Sequence, residues 1–215
     1  MMAQTSNPKC LIIACGALAR EIVTLQKQFG LEAIKLKCLP AEYHNTPEKI
    51  APGIEKILSE CAADYETILV AYGDCGTGGG LDRVLEKYNA TRLPGAHCYE
   101  FFAGNHLFEE LMEKDLGSFF LTDYLVKNFD RLIISGLGLD RFPHLRDAYF
   151  QHYTKLVYLS QIKDADLIRR AEIAAERLGL EFVTIHTAYG GLEDGILNKF
   201  TRDHGVDRKA SHVSS

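Results

Sequence analysis

Tryptophan is absent from this 215-residue chain, which has only three methionines and six prolines. Long apolar runs are absent too. Stretches such as Leu11 to Ala14 and Ile68 to Ala71 fall far short of the roughly 20 residues a bilayer span needs, so no membrane partner is expected. A charged N-terminal region followed by an apolar one is likewise missing, which sets the expectation of a cytoplasmic protein. Basic residues do not dominate: 24 Lys and Arg are scattered among 29 Asp and Glu for a net charge of -5, so no basic stripe offers itself to a phosphate backbone and nucleic acid is not an expected partner. Internal repeats and low-complexity linkers are also lacking.

What is present is enough apolar material, 47% of residues, to bury one substantial core without covalent staples. A single α/β domain over residues 1–200 is expected, with a flexible tail over 201–215, because Arg202 to Ser215 is polar and lacks periodicity. The six cysteines, in a compartment expected to be reducing, are candidates for ligands, nucleophiles or plain core rather than bridges.

Strands alternate with helical segments along the chain. Lys9 to Gly16 is an apolar run ending in glycine, followed by a segment with Leu18, Ile22 and Leu25 at helical spacing. Ala33 to Leu39 reads as a second strand, and Thr46-Pro47 as the start of a helix running to about Ala62. Thr67 to Tyr72 is β-branched and apolar throughout, as a strand covered on both faces must be. Weaker strand signal lies at Thr91 to Leu93. Further strands are Leu156 to Leu159 and Phe182 to Ile185, separated by a helix over Asp164 to Leu178, while Phe101 to Leu137 reads as mainly helical and rich in aromatics. The fold class is therefore α/β: a three-layer, mostly parallel sheet with helices on both faces (Rossmann-like), with a helical insertion around 100–150.

In such a sheet ligands bind beyond the carboxyl ends of the strands, and three cysteines fall there: Cys15, Cys75 and Cys98. Thiolates gathered from separate loops repel one another unless a cation neutralises them, so zinc, or alternatively an iron–sulfur cluster, is the expected cofactor. His44, His97, Glu100 or a substrate is left to complete the set, His44 being taken as the metal candidate. Cys10, Cys38 and Cys61 sit in apolar contexts and read as core. Gly16, Gly76, Thr77 and Gly78 are candidates to border a bound cofactor, because glycine lets the backbone approach closely. The cluster after Asp74 suggests a phosphate cradle, yet it matches neither the P-loop nor the dinucleotide fingerprint. Asp74, Glu100 and His97 are the candidates for moving protons. Asp123 and Asp140 read first as helix caps, and second as a polar wall of the site.

The segments Ala14 to Glu21, Tyr72 to Gly79, His97 to Gly104, Phe120 to Leu125 and Leu137 to Arg141 resemble the domain of unknown function 1638 family of methanogenic archaea and anaerobic bacteria. The resemblance spans roughly residues 10 to 195. Family members look to be neighbours of corrinoid-dependent methyltransferases, which implies a role near one-carbon or corrinoid chemistry. The expected function is a metal-binding protein with a site built on three cysteines, serving anaerobic methyl metabolism and catalysing methyl or sulfur transfer if it is an enzyme. The alternative is a non-catalytic metal or corrinoid carrier for a partner methyltransferase, docking through the aromatic stretch from Tyr99 to Tyr124. The partner is accordingly a small-molecule substrate or a corrinoid protein, and a homo-oligomer is allowed.

Overall fold

A computed structural model describes residues 9–114 and 116–204. The chain divides into two compact units: residues up to Pro94 together with those from Leu192 onward, and Gly95–Gly191. Each is built on a parallel sheet flanked by helices, in the three-layer α/β Rossmann-like manner.

The first unit holds β1 (Cys10–Cys15), β2 (Lys35–Leu39), β3 (Thr67–Ala71) and the short β4 (Thr91–Arg92), in the order β2-β1-β3-β4. All six residues of β1 are buried, which is why this strand reads as an unbroken apolar run and takes the middle of the sheet. Its register pairs Ala14 with Cys38 on one side and with Ala71 on the other. Helix α1 (Ala19–Gln28) buries Ile22 and Leu25, and α2 (Ile50–Cys61) buries Ile50, Ile54 and Leu58, so both lay one apolar stripe on the sheet. Pro47 stands at the first position of a short 3-10 turn that leads into α2. Helix α3 (Gly80–Lys87) buries Leu81, Val84 and Leu85.

The second unit contains α4 (Glu100–Ala103), α5 (Asn105–Lys114), β5 (Ser118–Thr122), α6 (Asp123–Lys127), a π-helical turn at Asp130–Ser135, α7 (Leu145–Phe150), β6 (Lys155–Ser160), α8 (Ala165–Leu178) and β7 (Glu181–His186). Its sheet runs β5-β6-β7, all parallel, with Ser160 opposite His186. Alternation along the central strand divides the core: Leu156 and Tyr158 pack with α6 and α8, whereas Val157 and Leu159 pack with Phe108 and Phe120. The Asp164 carboxylate caps α8 by accepting from the Asp166 and Leu167 N–H groups at 2.9 and 3.3 Å, and Gly179 ends that helix in the left-handed conformation.

The region expected as a helical insertion around 100–150 is therefore helical at both ends with β5 between them. Phe101, Phe102, Phe108 and Phe120, in the aromatic stretch from Tyr99 to Tyr124, are buried in the core. Helix α9 (Gly190–His204) begins where Gly190 passes against the Phe102 carbonyl too closely for any side chain, and its Leu192, Ile196 and Phe200 are buried. The segment expected as a tail thus starts inside this helix, and 205–215 lies outside the described residues. Among the described residues no helix is long and apolar enough to cross a membrane.

Candidate functional site

Cys15 is the last residue of β1, and the chain leaves it through a 3-10 turn at Gly16–Leu18. Gly16 has a packing reason to be glycine: a Cβ there would stand 3.0 Å from the Leu39 carbonyl and 3.4 Å from the Ala41 nitrogen. The Cys15 thiol is 7% exposed, and burial pushes its pKa up to about 11. The Ala17 N–H and the Tyr72 side chain lie near the sulfur and work against that rise, while Cys75 and Cys38 are near enough to add to it. Tyr72 follows β3 directly, and the register that pairs Ala14 with Ala71 puts Cys15 and Tyr72 on one face of the sheet. Cys38 pairs with Ala14, one residue out of phase, so its side chain leaves from the opposite face. Burial raises its thiol as well, although the residue as a whole is exposed rather than core as expected.

The loop from Gly73 to Gly80 is organised by Asp74. Its Oδ1 accepts from the Thr77 hydroxyl at 2.8 Å and from Gly79 N–H at 2.9 Å, and its Oδ2 accepts from Gly78 N–H at 3.1 Å. Those donors, Gly79 first and Thr77 second, hold the Asp74 carboxyl below the usual carboxylate range. The backbone N–H groups that suggested a phosphate cradle are thus already turned onto an anion of the chain's own. Gly78 and Gly79 take left-handed conformations with φ of 58° and 75°, which wrap the loop around that carboxylate. Cys75 shares the left-handed region at φ 48°, an uncommon and strained place for a residue with a Cβ. It is half-buried. Beside this loop an open depression of about 460 Å³ is lined by Pro47, Glu48, Ala51, Gly76, Thr77 and Gly80. His44 is exposed, in the 3-10 turn Ala41–Asn45.

Cys98, His97 and Glu100 belong to the second unit. The Glu100 carboxylate accepts from Ala96 N–H at 2.8 Å, and a Cβ on Gly95, whose φ is 121°, would press on it at 3.0 Å. Glu100 therefore closes its own turn. The His97 ring stacks on Tyr99 at 4.9 Å between centroids, and Tyr99 stacks on Phe120 at 5.1 Å, a column that ends in the core.

At the carboxyl ends of β5, β6 and β7 lies a polar cluster of which the sequence pattern singled out only Asp123. Asp123 is 2% exposed and is not the cap of its helix; the Thr122 hydroxyl takes that place, accepting from Leu125 N–H. Asp123 Oδ1 accepts from the Tyr158 hydroxyl at 2.7 Å and Gln161 N–H at 2.9 Å, and Oδ2 from Ile162 N–H at 3.2 Å. Gln161 answers by accepting from Asp123 N–H at 2.8 Å. Burial first, and the Asp123 carboxylate second, push the Tyr158 phenol far above its usual value. Ser160 Oγ and His186 Nδ1 stand 3.1 Å apart across the paired strand ends. The available signal was small: Ser160-Gln161 breaking an apolar run, and a histidine closing the next strand.

The structure thus brings Cys15 and Cys75 toward one rim of the first sheet and carries Cys98, His97 and Glu100 in the other unit. Among the described residues no group of three or more His, Cys, Asp and Glu side chains is arranged to hold a metal ion. In fold and in rim chemistry this is an α/β protein of parallel sheets with thiols at strand ends. Its residues 38–196 match the model of the family described as protein of unknown function (DUF1638), and the chain belongs to that family. No curated protein matches the chain.

Proposed function

We propose that the chain binds one thiophilic metal ion, zinc in the first instance and an iron–sulfur cluster as the alternative, with Cys15 and Cys75 as the protein's thiolate pair. The observation that carries this reading is that two cysteines 60 positions apart lie near each other at the carboxyl ends of adjacent parallel strands, one of them at a strained φ of 48°. Strain of this sort is kept where the surroundings hold a side chain in place, and it gathers at functional sites. Two thiolates fill half of a tetrahedral zinc shell and leave positions for a ligand from outside the chain. The residues therefore fit a site open to exchange better than a closed structural one.

The chemistry expected from the family resemblance, methyl or sulfur transfer near corrinoid metabolism, is the reaction class to test first. One observation favours the carrier reading over the enzyme. Asp74 and Glu100, the carboxylates considered for proton transfer, are occupied in closing their own turns. A carrier needs thiols that take up and release a metal, and no general base.

Anaerobic purification followed by elemental analysis tests the proposal. Stoichiometric colourless zinc, lost on Cys75→Ser, supports it in its first form; a brown protein with absorbance near roughly 400 nm supports the cluster. Metal content at background in the parent protein overturns both. With metal present, turnover of methyl donors with thiol acceptors separates enzyme from carrier, since a carrier alone leaves the donor untouched.

A further inference from the structure

Lys37 lies on β2, at the edge of the first sheet, and Cys61 is the last residue of α2. The Lys37 ammonium donates to the Cys61 sulfur at 3.3 Å, and the Cys61 S–H in turn donates to the Ile57 carbonyl at 3.1 Å. Cys61 is 9% exposed, so it is shielded from large reagents while lying under the surface at the sheet edge. Charged and titratable neighbours favour the ammonium: Cys61 first, with Tyr65 and Glu60 adding to it. A nucleophilic sulfur and an amine are thus held together by two separate secondary-structure elements, away from the thiols of the proposed metal site. Cys15 and Cys38 have burial alone as the main influence on their thiols, without a lysine on the sulfur.

We propose that Lys37 and Cys61 are an oxidation-sensitive pair that dioxygen converts into a covalent Nζ–O–Sγ bridge. The step balances: lysine ammonium, cysteine thiol and one molecule of dioxygen give the bridge, one water and one proton, the thiol's, released to solvent. The O=O bond breaks, and N–O and O–S bonds form. Of the three hydrogens on the ammonium, one stays on nitrogen and two leave in the water. Nitrogen and sulfur each give up two electrons, and dioxygen takes all four. A single inserted oxygen spans a gap of this size without moving either backbone, so the bridge ties the edge strand to the end of α2.

The experiment compares full-length protein kept anaerobic with reductant against the same protein held in air-saturated buffer, by intact mass, thiol count and peptide mapping. The bridge is expected as a gain of one oxygen with loss of two hydrogens, the disappearance of one thiol, and a linked peptide pair containing Lys37 and Cys61. Dithiothreitol reverses it, and the bridged form has a higher unfolding midpoint. Lys37→Arg keeps the cation but cannot form the bridge, and it carries the test even if Cys61→Ser fails to fold. The proposal is overturned if the mass gain survives Lys37→Arg, if Cys61 is recovered as sulfenic or sulfinic acid on an unlinked peptide, or if no linked peptide forms in air.

Discussion

Asp123→Ala is the substitution that probes the second unit most sharply. The carboxylate, 2% exposed, accepts from the Tyr158 hydroxyl and from the Gln161 and Ile162 N–H groups. Removing it strands one buried phenol and one buried backbone donor, plus a third donor that is only part-buried and can turn to water. An unsatisfied buried donor costs about 1–3 kcal/mol, so the expected loss is about 3–5 kcal/mol, a large part of the roughly 5–15 kcal/mol that holds a typical domain together. Asp123→Asn keeps one acceptor for Tyr158 but turns an NH2 toward a backbone N–H, and about half that loss is expected. Tyr158→Phe leaves the carboxylate its two backbone donors and costs about 1–2 kcal/mol. The assay is urea unfolding followed by far-UV circular dichroism and by amide hydrogen exchange, which reads protection in each unit separately, since the two compact units need not unfold together. If Asp123→Ala unfolds within about 1 kcal/mol of the parent, the network is not the support described.

Four further outcomes follow. The Cys15 thiol has its pKa raised from 9.0 to about 11 by burial, so the folded state holds its proton longer; this stability is complete below pH 9 and is lost as pH rises toward 11, by about 2.7 kcal/mol at most, and Cys15→Ala should flatten the alkaline limb of a stability–pH curve. For the same reason metal affinity should rise by at least about tenfold per pH unit across the neutral range, as the metal displaces the Cys15 proton and any held by Cys75, measured with a competing chelator. Cys75→Gly should relieve the left-handed strain and stabilise the fold by about 1 kcal/mol in thermal melts while reducing metal content. Because the Asp74 carboxyl is held below its ordinary range, its contribution to the loop is present above the usual carboxylate pKa and fades as pH falls through the lowered value; Asp74→Asn should remove that acid dependence.

The strands were legible wherever burial on both faces left an apolar run, as in β1, β3 and β6, and α8 was legible from its run of alanine and charged residues. β5 was not, because Ser118 to Thr122 is short and sits inside an aromatic stretch that has no clear period. The division of seven strands between two sheets was also beyond reach, since the order of strands depends on long-range pairing that spacing does not encode. At the rim, the strand-end position of Cys15 and the glycine loop around Cys75 could be read directly. The duties of Asp74, Glu100 and Asp123 could not, because a carboxylate that closes a turn and one that moves a proton have the same neighbours in sequence. Only hydrogen-bond partners 3 to 39 residues away tell them apart.

The most direct test of the thiolate pair is cobalt(II) substitution of the reduced, metal-free protein, reading sulfur-to-metal charge-transfer absorbance in the parent, Cys15→Ser, Cys75→Ser and Cys98→Ser proteins. Two thiolates' worth of intensity in the parent, cut to about half by either of the first two substitutions and unchanged by the third, is the predicted pattern. Full intensity kept in either Cys15→Ser or Cys75→Ser, or intensity lost in Cys98→Ser, would contradict it.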